Sequence, residues 1–72
     1  MKYYMLFADG NLLTYEHEYR IDDEGFPHTR RMKEEAVLIL HTFVNGVLDS
    51  VKEYAYRREG CQFRGHIFVR ST

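Results

Sequence analysis

Cysteine and proline occur once each in this chain, and no apolar run approaches the length of a membrane span. A lone thiol, Cys61, excludes an intramolecular disulfide and suits a reducing, cytoplasmic compartment. A spanning helix needs about 18 or more apolar residues, and the first residues lack the basic-then-apolar pattern of a signal peptide, so a soluble chain with no membrane partner is expected. Close metal-ligand pairs are also missing. His17, His28, His41, His66 and Cys61 form no C-x2-C or H-x3-H spacing, and neither metal nor cofactor is expected. With a formal charge of −1, the chain has neither the basic field of a nucleic-acid binder nor the acidic field of a DNA mimic. Repeats and low-complexity segments are absent, and a single proline beside 44% apolar and 15% aromatic residues argues against disorder.

Seventy-two residues make one domain, 1–72, with a small core near the size where folding alone becomes marginal, a condition that a homodimer relieves. Charge is unevenly spread: residues 1–25 balance to −4 and residues 51–72 to +3. Complementary ends of this kind pair neighbouring surfaces within a fold more readily than they recruit a charged partner.

The longest periodic stretch is Thr29 to Gly60. Met32, Ala36, Ile39, Leu40, Phe43, Val47, Val51, Tyr54 and Ala55 recur at three- and four-residue spacing, which predicts an amphipathic helix. Thr29 precedes it as a cap, and Arg57, Arg58 and Gly60 mark its end. Asn45-Gly46 is the competing signal, since this pair favours the positive φ of a hairpin turn. A hairpin would set Val44 against Val47 and Thr42 against Asp49, and neither face would be cleanly apolar. A helix of this length would also overreach strands of about nine residues, about 43 Å against about 30 Å. The expectation is a core helix from Arg30 to Asn45, a break at Asn45-Gly46, and a tail in which residues 51–58 could form a fourth strand.

Lys2 to Phe7 and Asn11 to Ile21 read as a hairpin around Ala8-Asp9-Gly10, with Asp22 to His28 a connector and Gln62 to Arg70 a third strand. A two-residue loop pairs Phe7 with Leu12. A three-residue loop gathers Tyr3, Met5, Phe7, Leu13, Tyr15, His17, Tyr19 and Ile21 on one face, and it is preferred because it makes the better core face. The resulting fold class is α+β: a three-stranded sheet, N-terminal hairpin plus C-terminal strand, covered on one face by the helical segment in ββαβ order. The last strand then lies parallel beside the first.

Two surfaces stand out. On the uncovered sheet face, Tyr4 with Arg64, His66, Phe68 and Arg70 makes an aromatic and basic platform. Arg64-Gly65-His66-Ile67-Phe68-Val69 overlaps the R-G-aromatic-G-F-V core of the RNA-recognition signature, with histidine and isoleucine in the third and fourth places and without that module's βαββαβ order. At the end of the helical stretch, Tyr56 and Arg57 combine residue types that dominate binding hot spots. Glu16-His17-Glu18 could do acid-base chemistry only inside a pocket that shifts a pKa, for which so small a domain has little room. Cys61 reads as a small apolar filler. The function these observations imply is a non-enzymatic interaction module, a regulator or inhibitor of the kind found in compact genomes, phages included. It binds another protein or itself; the alternative is single-stranded nucleic acid on the sheet face.

Overall fold

The computed structural model describes residues 1–29 and 34–71, and among them there is no helix. The strands are β1 (Lys2–Ala8), β2 (Asn11–Leu12), β3 (Tyr19–Ile21), β4 (Pro27–Thr29), β5 (Ala36–Val44), β6 (Val47–Arg57) and β7 (Gly60–Val69). Five of them form one antiparallel sheet in the order β2-β1-β5-β6-β7, and β3 with β4 forms a small separate hairpin.

The expected α+β fold is therefore corrected to an all-β one. Ala36 to Asn45 is not helical: it is the central strand β5 and the start of a hairpin. Asn45 and Gly46 take φ of 52° and 81°, the two successive positive values of a two-residue hairpin turn, and Val44 pairs with Val47 across it. Thr42 pairs with Ser50 and not with Asp49, because the register shifts between Thr42 and Phe43. Asp49 is the extra residue of a β-bulge, and beyond it every side chain of β6 changes face. That slip hid the hairpin: once it is allowed for, Ser50, Lys52, Tyr54 and Tyr56 share a face, with Val51, Glu53 and Ala55 on the other. Residues 51–58 are strand up to Arg57, the alternative weighed above. The expected helix start at Arg30 and Met32 lies outside the described residues.

The N-terminal hairpin uses the two-residue Asp9-Gly10 turn, with Phe7 opposite Leu12, so the three-residue register is corrected as well. Its second strand stops at Leu12. The amide of Leu13 makes one more bond to the Leu6 carbonyl at 2.8 Å, and the chain then crosses over the sheet. Leu13 and Tyr19 reach the core from above it, not from within it. The last strand pairs antiparallel with β6 and does not lie beside β1.

One sheet face is thereby closed. Leu6 and Ala8 of β1, Ala36, Leu38 and Leu40 of β5, and Tyr54 of β6 form the core with Leu13 and Tyr19 from the crossing segment. Phe26, in the β3–β4 connection, sets its ring edge-on to Tyr54 at 5.0 Å. Tyr19 also finishes the sheet edge. Its hydroxyl donates to the Tyr4 carbonyl at 3.2 Å. Tyr4 has the parity of Leu6, whose carbonyl is met from outside the sheet, so a side chain stands here where a neighbouring strand would be.

Truncation separates the two faces. In dilute solution Leu38→Ala, at a fully buried position, is expected to lower the urea unfolding free energy by about 2–5 kcal/mol. Val37→Ala, next in the same strand and 46% exposed, should cost about 0.5 kcal/mol or less. Equal losses would contradict the assignment of faces.

Candidate protein-contact face

The other face of the sheet carries no layer from the described residues. Register assigns its side chains: Tyr3, Met5 and Phe7 from β1 stand beside Phe43, His41 and Ile39 of β5. Beyond them lie Leu48, Val51 and Ala55 of β6, with Phe68 of β7 opposite Val51. The rings of Tyr3 and Phe43 stack at 4.8 Å and 4°, and Phe7 meets His41 edge-on at 5.2 Å. Tyr3, Val37 and Phe68 are 43–46% exposed, Met5, Phe7, Ile39 and Phe43 are partly buried by their neighbours and Val51 at the centre is buried at 7%, whereas Leu6, Leu38 and Leu40 on the reverse side have almost no accessible surface.

Among the described residues Glu53, His41 and Gln62 interrupt this surface, and Arg57 stands at its end. The Nδ1 atom of His41 is shielded from water and has no hydrogen-bond partner, a costly position for a polar nitrogen. The face is thus wide, aromatic and nearly uncharged.

The residues singled out from the sequence do not assemble as one platform. Tyr4 lies on the covered side, packed against the core, because the two-residue turn inverts the parity chosen for β1. His66 pairs with Lys52 and meets Phe63 edge-on at 5.3 Å, which also places it on the covered side. Arg64 is the extra residue between Phe63 and Gly65, at one of two bulges in β7. Phe68 does lie on the open face, and Arg70 follows β7, its amide bonded to the Asp49 carbonyl at 2.8 Å. Tyr56 is partly buried against the core, while Arg57 is exposed with its Nε 3.8 Å from a Glu35 carboxylate oxygen. Tyr3, Phe7, Ile39 and Phe43, expected in the core, lie on the open face; their alternation with Leu6, Leu38 and Leu40 is the signal that separates them.

A hollow of about 450 Å³ opens on the covered side between the β3–β4 hairpin and the β6–β7 turn, lined among others by Glu16, His17, His28, Tyr56 and Cys61. Glu16 turns there with a φ of 68°. Burial pushes the Cys61 thiol up to about 11, so it stays protonated at neutral pH and is no prepared nucleophile. No group of three or more metal-ligating side chains occurs among the described residues, and no helix among them is long and apolar enough to cross a membrane.

The chain matches no family model, no curated protein and no solved structure. The functional reading therefore rests on the geometry alone.

Asp22 fixes the hairpin that roofs the core. Its Oδ1 accepts the amides of Phe26 at 2.8 Å and Glu24 at 2.9 Å, and its Oδ2 lies 2.8 Å from His28 Nε2. The bond to His28, then the backbone amides, hold its carboxyl below the usual 3.8. A depressed carboxyl contributes stability above the ordinary aspartate range that is lost as pH falls through its own lower value. An NMR titration should give Asp22 a midpoint under 3.8 that rises in His28→Ala; a midpoint at or above 3.8 in the native chain would contradict the turn geometry.

Proposed function

We propose that this chain is a non-enzymatic interaction module whose working surface is the open sheet face, and that its partner is a protein layer, either a second copy or another molecule. The carrying observation is the contrast between the two sides of β5. Ala36, Leu38 and Leu40 are buried, and the equally apolar Val37, Ile39 and Phe43 alternate with them on the side that no layer of described residues covers. A strand that is apolar on both faces is the pattern of a sheet covered on both, and large contiguous apolar patches mark interaction sites. Aromatic residues at the centre and few charges are the composition of an interface core.

In this reading the chain acts by occupying a surface, as a regulator or inhibitor does. The partly buried, protonated Cys61 suits a reducing compartment, the cytoplasm.

A photo-crosslinking amino acid placed at Phe43 should give a discrete protein adduct in the native host. The same probe at the exposed Tyr15, outside the sheet, should not. Absence of an adduct at Phe43, or equal capture from both positions, would overturn the proposal.

A further inference from the structure

We infer that the occupant of the open face is a second copy of this chain, so that two sheets stack face to face and close a β-sandwich homodimer. The inference rests on the reading of that face as a contact surface and names what covers it.

Size is the first argument. Four long strands about 4.8 Å apart and about seven residues in length, at about 3.3 Å per residue, give a face of roughly 19 by 23 Å in projection. Two such faces hide on the order of 900 Å² in projection, and the corrugated side-chain surface raises the accessible area further. That exceeds the roughly 800 Å² of incidental contacts and approaches the lower limit, about 1,200 Å², of stable specific interfaces. A copy of the same sheet also matches the patch in width and length without any adjustment.

Charge is the second. A two-fold contact sets a patch against itself, so like charges at its centre are repelled. The acidic turn Asp22-Asp23-Glu24 lies in the β3–β4 connection, Arg58 in the β6–β7 turn and Arg57 at the last position of β6, all away from the centre of the face. What remains polar on the face among the described residues is Glu53 and Arg57 of β6, His41 of β5 and Gln62 of β7, one carboxylate balanced by one guanidinium. Among the described residues no field of one sign opposes self-pairing, and none selects a partner of opposite charge.

The third argument concerns the competing surface. β7 is an edge strand of the sheet and exposes Ile67 and Val69, each at 59%, which could invite edge-to-edge pairing. Its pairing with β6 shifts register twice, at Arg64 and at Ile67. Bulges of this kind twist an edge strand away from a flat partner. The face therefore outranks the edge.

Light scattering on the eluting protein tests this directly. The mass should move from 8.7 kDa at about 1 µM towards twice that value at about 100 µM, the range expected of a small apolar interface. Phe43→Lys and Tyr3→Asp, both on the open face, should each hold the chain monomeric with an unchanged circular dichroism spectrum; Tyr3 is already 45% exposed, so its substitution keeps the test valid if Phe43→Lys does not fold. Ile67→Lys on the edge should leave the dimer intact. A monomer at every concentration would overturn the inference, as would a dimer lost in Ile67→Lys and kept in the two face variants. A monomer in solution whose Phe43 probe still captures a different protein in cells removes the homodimer and leaves the contact face standing. Loss of both results removes both.

Discussion

A central strand that is apolar on both sides has to be shielded twice, and β5 finds only one shield among the described residues. Its Leu38 and Leu40 lie under the segment of residues 13–29 that crosses the sheet, and its Val37, Ile39 and Phe43 face outward. The rest of the architecture follows from this asymmetry. The hairpins on either side align strands against β5, the crossing segment closes one layer, and the surface left over is also largely apolar. Burial is worth about 25 cal/mol per Å² of apolar area. A small domain whose described residues leave one sheet face without a covering layer gives up a large share of what its sequence could bury.

The covered layer depends on polar contacts as much as on packing. Tyr19 sits in the core and spends its hydroxyl on the outer edge of β1, where burial and the neighbouring Tyr15 raise its own ionisation above the usual tyrosine value. Thr29 donates to the Glu18 carbonyl at 2.8 Å and ties the two arms of the roof together. Pro27, fully buried, opens β4, a position where its missing amide costs no ladder bond. Asp9 closes the far end: its carboxylate accepts the Val37 amide at 3.0 Å while its own amide donates to the Val37 carbonyl at 2.9 Å. Roof and sheet thus divide along the chain. Residues 13–29 build the roof, and β1, β5, β6 and β7 present the surface.

Much of this was legible locally and illegible in register. The first strand, a turn within Ala8-Asp9-Gly10 and the last strand are legible from β-branched and aromatic content and from turn residues, whereas the two-residue length of that turn is not, and strand at 51–58 is legible only as an alternative to helix. The helix was misread for a physical reason. A period of two survives only while register is kept, and the extra residue at Asp49 shifts it immediately after the Asn45-Gly46 turn. A strand apolar on both faces also satisfies a three-and-four spacing by default, since apolar residues stand at most positions. The inversion of β1 has a related origin. Tyr3, Met5 and Phe7 were matched with Leu13, Tyr19 and Ile21 as one sheet face, but the second strand ends at Leu12 and those later residues come from the roof. No local rule in the sequence marks where a strand leaves its sheet. Tyr4 was carried to the wrong side by the same slip, and the platform drawn around it dissolved with it.

The central claim is that one face of β5 is enclosed within the chain and the other waits for an equivalent layer. Methyl NMR with a soluble paramagnetic agent reads both at once. At low concentration the methyl groups of Met5, Val37 and Ile39 should relax strongly and those of Leu6, Leu38 and Leu40 hardly at all. As concentration rises, protection should spread to the first set while the second stays unchanged. Equal relaxation of Leu38 and Ile39 in the dilute chain would contradict the account.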